Sequence, residues 1–252
     1  MDKINWIIAA AGNDAVRTRQ ADGLTCLHLC TQLRTDGSFG LLSYPHGAGG
    51  DYLGITDGGG IPRSCRAFAG AAVDAAKSRG CIGLMADFER PILQDTAAAL
   101  DEAAQDAGLT LLVPLTLAEA APHAIVIADT AISGGGLVQR FESLAERFGR
   151  HRLAAQLVRS CADFPLPCAH PNGTPLTQSE FDALLERTHS SVFFSRELCA
   201  KYFTYTQNNQ AHFVLFDDAD TLLYKSRLLA GRGITTMLAV FPEAEQMGLL
   251  SP

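Results

Sequence analysis

Two carboxylates stand one residue apart in the stretch GLMADFERP, residues 83–91: Asp87 and Glu89. In an extended chain, residues i and i+2 lie on the same face. Both acids are therefore expected to look the same way, with Phe88 packed on the opposite side. Acids this close repel each other, and partial burial adds to the effect. One of them should hold its proton to a higher pH than usual, which is what a general acid requires. The same pair also fits a solvated strand end, or an ion pair with the neighbouring Arg90. Other apolar runs close on polar residues too: Asn13 and Asp14, Gln32 and Arg34, Asp129 and Thr130, Arg159, and Glu243.

An element must hold such a pair. CIGLMAD (81–87) is apolar without alternation, the pattern of a parallel strand covered on both faces. INWIIAAA (4–11), LTCLHLCTQL (24–33), LTLLVPLT (109–116), HAIVIADT (123–130), RLAAQLVRS (152–160) and ITTMLAVF (234–241) read the same way, and AHFVLFD (211–217) reads as a strand or extended segment. Helices are expected over 64–80, 91–108, 136–149, 177–189 and 219–233. Their ends carry the usual signals: Pro91 in a first turn, Gly80 and Gly108 just past a last turn, and Thr177 with Glu180 as a capping box. Repeated strand–helix units without a linker-like break predict one domain over residues 1–252. The α/β solutions are an open doubly wound sheet and a closed (β/α)8 barrel. Polar residues at the ends of many strands favour the TIM-barrel-like arrangement, because barrels build their sites there. One βα unit, near residues 40–63, is expected to be irregular or missing, and ITDGGG inside it reads as a flexible loop.

The chain has 252 residues, 47% of them hydrophobic, with a formal charge of −7. It can bury a large core, and its acidic balance argues against nucleic acid or anionic membrane as a partner. Seven cysteines, an odd number with no CxxC pair, read as buried thiols in a reducing compartment, and no ligand spacing suggests a metal. No segment approaches the ~20 apolar residues of a membrane span, and MDKINWIIAAAG is too short an apolar run for a signal peptide; the expected location is cytoplasmic. His28, His123, His151 and His212 lie in or beside apolar runs and read as core or edge residues. SGGG (133–136) reads as a tight turn or an anion cradle without the Lys-Ser/Thr of a P-loop. The aromatics of FFSRELCAKYFTYT (193–206) could line a sugar cleft or form core over the barrel. AAAGND after the first strand lacks a nucleotide-binding glycine fingerprint, and no cofactor is expected.

IGLMADFE resembles the fourth-strand signature DxxDxDxE of glycoside hydrolase family 18, the chitinase and chitinase-like barrels. HFVLFDDADTLLYKSRLLAGRGITTMLAVF is similar to that family's closing segment, and LRTDGSF to its spore-germination and cell-wall branch. The resemblance runs in order through most of residues 1–245. It implies hydrolysis of N-acetylglucosamine-containing glycans, of peptidoglycan or chitin type, by substrate assistance: the acetamido oxygen attacks the anomeric carbon in place of an enzyme nucleophile. It implies Glu89 as the general acid and Asp87 as the residue that orients the acetamide. Asp129 matches the sixth-strand acid; with Arg159, Gln32 and Glu243 at other strand ends, it is expected to bind substrate. The departures are specific. Ile82 and Met85 replace the two inner acids, Ala128 stands where the family has a tyrosine, and Val240 or Phe241 stands where it has a tryptophan. They open a second reading, a degenerate barrel that binds a glycan or another ligand without cleaving it. Oligomeric state is not legible.

Overall fold

The computed structural model describes residues 3–21, 23–41, 49–168 and 172–250. In chain order the strands are β1 (Asn5–Ala10), β2 (Leu24–Leu33), β3 (Phe39–Leu41), β4 (Tyr52–Asp57), β5 (Gly83–Asp87), β6 (Thr110–Pro114), β7 (Ile125–Asp129), β8 (Leu153–Leu157), β9 (Cys161–Leu166), β10 (Thr174–Pro175), β11 (Phe193–Ser195), β12 (Ala200–Gln207), β13 (Gln210–Phe216) and β14 (Thr236–Val240). The helices are α1 (Gly12–Gln20), α2 (Cys65–Lys77), α3 (Gln94–Asp106), α4 (Leu137–Phe148), α5 (Gln178–Thr188), α6 (Ala219–Ala230) and α7 (Phe241–Gln246).

Eight parallel strands close into a barrel in the order β1, β14, β8, β7, β6, β5, β4, β2, with β2 pairing back onto β1. The expected TIM-type barrel is therefore present. Each strand sends at least one residue to the interior: Ile7 and Ala9, Leu27, Tyr52, Met85, Leu112, Ile127, Ala154 and Leu238 pack there. Outward residues build separate clusters beneath the helices, which is why these strands read as apolar throughout. Tyr52 shapes the floor: a Cβ on Gly83 would lie 2.5 Å from the Tyr52 ring and 2.3 Å from the Thr110 carbonyl, so only glycine fits.

Two βα units are short of a helix. Between β2 and β4, the described residues contain only β3, antiparallel to β2. The irregular unit expected near 40–63 is there, and the part of it over 42–48 lies outside the described residues. The loop reading of ITDGGG needs correction, because YLGITD is barrel strand β4. Between β6 and β7 stands a single 3-10 turn, Leu115–Leu117. Asn13 and Asp14, taken as strand-end polar residues, lie in α1.

Between β8 and α6 the chain leaves the barrel and forms an antiparallel sheet in the order β10, β9, β13, β12, β11. AHFVLFD thus belongs to this second sheet. Helix α5, started by the expected Thr177–Glu180 capping box, covers one sheet face through Phe181 and Leu184 against Phe203, Val214 and Phe216. On the other face Tyr202 stacks on Phe213 at 5.0 Å, so much of the aromatic stretch is sheet core. Cys26, Cys30, Cys81 and Cys199 are buried and no disulfide forms among the described residues. Burial pushes the Cys26 thiol up to about 12, so it is a packing residue despite lying 3.8 Å from His28 Nδ1. His28 is itself a core histidine, held at 2.9 Å by the buried Asp51.

Candidate active site

Strand β5 positions the acid pair. Met85 packs inside the barrel, so Asp87, two residues on, follows it on the inward face at the carboxyl end. Phe88 is fully buried in the outer cluster with Leu93 and Leu100. Glu89 returns to the mouth and is exposed. Alternation of inward and outward side chains thus places both acids as the spacing requires. They line one cavity of about 390 Å³ with Thr56, Asp57, Gly59 and Arg90.

The electrostatics of this cavity are uneven. Arg90 grips Asp57 in a two-pronged ion pair, Nε to Oδ2 and Nη2 to Oδ1, each 2.6 Å, and Nη2 also donates to the Gly60 carbonyl at 2.6 Å. These bonds hold the Asp57 carboxyl below the usual range. Arg90 is thereby committed to Asp57, and the ion pair of the acids with Arg90 that the sequence allowed does not form. Among the described residues, Asp87 and Glu89 have no hydrogen-bond or ion-pair partner. The Asp87 carboxyl is raised, first by burial, then by the charges of Glu89 and Asp57.

Asp129 also reaches the mouth. It follows the interior Ile127 by two residues at the end of β7. Its carboxyl is raised by burial, with the Glu89 charge adding to the effect and Arg140 opposing it. Its side chain is surface-accessible yet surrounded closely enough to feel that desolvation. Gln32 sits beside Thr56 in the β2–β4 register and next to Gly58, on the same wall as the cavity. Arg159 and Glu243 stand across the ring, beyond β8 and β14, and neither lines the cavity that holds the acids. Arg159 Nε and Glu243 Oε2 are buried without a partner among the described residues. Of the other expected features, Ala128 packs outward and Phe241 packs beneath the helices. Val240 is the exposed residue that follows interior Leu238 at the mouth. Among the described residues, no aromatic ring lines the cavity, and no group of His, Cys, Asp or Glu is arranged to hold a metal.

Sequence reasoning missed Thr56 and Asp57. A usable signal was present: LGIT is a short apolar, β-branched run that ends in an acid before three glycines, the same strand-end grammar as LMADF.

The DDAD motif has a different job. Asp217 is buried and meets Lys225 Nζ at 2.8 Å. It also accepts from the Ser160 amide at 3.1 Å and the Thr221 hydroxyl at 2.9 Å, while Lys225 donates to the Thr130 carbonyl at 3.2 Å. Asp218 caps α6 through Thr221 and pairs with Lys201.

No family model matches the chain, and no curated protein matches it in sequence. Solved structures do match. The spore cortex-lytic enzyme SleL from Bacillus cereus is similar at TM-score 0.63 and 17% identity, over 98% of this chain and 74% of that one. A chitinase from Chromobacterium violaceum is similar at TM-score 0.61 and 15% identity, over 99% of both chains. A class V chitinase mutant from Nicotiana tobaccum, in complex with NAG4, is similar at TM-score 0.63 and 11% identity, over 99% of this chain and 97% of that one. Identities this low speak for the fold alone: the chain is a closed (β/α)8-type barrel, similar in fold to these chitinases and to the cortex-lytic enzyme.

Proposed function

We propose that the chain is a glycoside hydrolase acting on N-acetylglucosamine-containing glycans of peptidoglycan or chitin type. The observation that carries the reading is the pair Asp87 and Glu89, together and unpaired, lining an open cavity at the carboxyl end of a closed parallel barrel. An unpaired carboxylate that is partly buried, as Asp87 is, costs stability, and its presence at a strand end marks a candidate for chemistry. The glycan named in a structural neighbour's complex supports the substrate class.

In this reading the sugar's acetamido oxygen closes on the anomeric carbon and the bond to the leaving oxygen breaks. Glu89, exposed at the mouth, gives its proton to that oxygen. Asp87 keeps a proton to higher pH than an ordinary aspartate. Passing it to Glu89 loads the acid and leaves Asp87 as the anion that accepts the acetamide N–H. Water, deprotonated by the Glu89 carboxylate, then reopens the ring, and Glu89 is an acid again. Asp129, Gln32, Arg159 and Glu243 are assigned to substrate binding around the mouth.

A second reading rests on a particular observation. Met85 is core and Ile82 lies outside the barrel interior, so β5 carries no acid below Asp87 to relay its proton. A barrel that holds glycan without cleaving it would look the same in this respect. Incubation with N-acetylglucosamine oligomers and peptidoglycan digests, with products weighed by mass spectrometry and binding measured by calorimetry, separates the two. New reducing ends support hydrolysis; binding without product supports the second reading.

A further inference from the structure

The cavity contains a third carboxylate whose placement is as constrained as that of the acid pair. Thr56 of β4 pairs in register with Asp87 of β5, so Asp57 emerges from β4 alongside the acids and lines their cavity. Arg90 reaches it from the segment between β5 and the Pro91–Leu93 turn. Arg90 directly follows Glu89 and directly precedes Pro91, which opens the 3-10 turn Pro91–Leu93. Glu89 itself has no regular secondary structure. Its backbone is tied on one side by β5 and on the other by the three 2.6 Å bonds that Arg90 makes across the cavity rim. The far anchor is rigid as well. Gly60, whose carbonyl Arg90 holds, approaches the residue that follows β2 so closely that a Cβ there would fall 1.8 Å from the Arg34 carbonyl.

We propose that Asp57 and Arg90 act as a positioning clamp for the Asp87–Glu89 pair, with Arg90 fixing the backbone that carries Glu89 and Asp57 placing a fixed negative charge beside Asp87. The charges facing Asp87 are Glu89, two residues further along the chain just past β5, and Asp57 at the end of β4; Asp129 at the end of β7 faces Glu89. Asp57 stays ionised because Arg90 donates to it twice, so its charge persists where a free aspartate would begin to protonate. With Met85 in the core, a neighbouring strand then supplies the carboxylate that β5 lacks. The catalytic consequence rests on the hydrolytic reading of the site; the effect on Asp87 titration does not.

Two measurements test it separately. The first is a ¹³C NMR titration of the Asp87 carboxyl in wild type, Asp57→Asn and Asp57→Glu. The midpoint is expected to move to lower pH in Asp57→Asn and to stay near wild type in Asp57→Glu, which keeps the charge. An Asp57→Asn midpoint that coincides with wild type overturns the charge role. Arg90 is partly exposed, so losing its partner leaves no deeply buried cation, and both variants are expected to fold. The second is steady-state turnover of an N-acetylglucosamine oligomer by Arg90→Lys, which keeps the cation and loses the fork. kcat is expected to fall about 10²-fold, the scale of an ångström's misplacement, with KM changed little. Wild-type kcat in Arg90→Lys overturns the positioning role. No turnover by wild type overturns the hydrolytic reading, and the titration still decides the clamp's effect on Asp87.

Discussion

ADFE at residues 86–89 and FDDAD at 216–220 look alike in sequence: an apolar run that ends in two acids. In the structure they have opposite surroundings. Asp217 is buried with a lysine, an amide and a hydroxyl on its oxygens, and Asp218 caps a helix. Asp87 and Glu89 have none of these. Asp217 and Asp218 tie the chain after β8, α6 and the end of β7 together; Asp87 and Glu89 leave their charge unbalanced at a cavity. A carboxylate whose hydrogen-bonding capacity is filled is committed to the fold, whereas one left open has capacity for a substrate.

The sharpest way to break this contrast is Glu89→Gln. Turnover of an N-acetylated glycan should fall by about 10²–10⁴-fold, the usual worth of a general acid, while affinity changes far less. Equal kcat in variant and wild type would remove Glu89 from the chemistry. Next in size is Lys225→Ala, which strands Asp217 as a buried, uncompensated charge. Urea denaturation should show a loss of about 3–5 kcal/mol. The double variant Asp217→Leu, Lys225→Met should lose less than the single one; the reverse order would mean that the ion pair itself is the main stabiliser.

Asp87→Asn tests the other side. The Asp87 carboxyl is raised in the folded protein, so its stabilising neutral form is complete below the unfolded value of about 3.9 and is lost as pH rises through the folded one. The variant should therefore melt higher than wild type at pH 7, by about 2–4 °C for each kcal/mol relieved. The gain should vanish toward pH 4, and a variant that melts lower at pH 7 would show that Asp87 has a partner after all. Smallest is Asp218→Ala. Losing the α6 cap should cost about 0.5–2 kcal/mol, with little added for the exposed Lys201 pair, and glycan binding should stay at the wild-type level.

The barrel strands were legible because burial on both faces leaves an unbroken apolar signature, as in β2, where LTCLHLCTQL and Leu24–Leu33 coincide. Asp87 and Glu89 were legible for the same reason, since the period-2 rule needs only the strand. Strand β4 was hidden by its own packing. Gly54 sits where a Cβ would lie 2.8 Å from the Leu29 side chain, so a glycine demanded by close strand packing was read as a loop glycine. Arg90's partner was out of reach because Asp57 is brought to it by strand adjacency, not by sequence spacing. The antiparallel sheet was blurred by Pro165 in β9 and by its mixture of polar and aromatic faces. Arg159 and Glu243 were read as strand-end residues; Arg159 stands two residues past β8 and Glu243 lies in the first turn of α7, and sequence position alone gives no azimuth around a barrel.

One consequence follows from how the antiparallel sheet is attached. The chain departs at Ser160 and returns at Asp217, and these two residues bond each other, Asp217 N to Ser160 O at 2.7 Å and Ser160 N to the Asp217 carboxylate. Exit and entry are thus one hydrogen-bonded step apart, the geometry of a cassette. Sequence between those posts can be lengthened, shortened or exchanged over generations without disturbing barrel closure, provided the sheet's contacts to the barrel are retained: Lys201 on Asp218, Phe194 on Tyr224, and a plug. That plug is the Glu197–Cys199 turn, whose Glu197 carbonyl accepts from the Leu137 amide and whose Cys199 fills the cluster around Leu137 and Leu229. For a protein engineer, the sheet is the replaceable wall of the molecule and that turn is its fixed bolt.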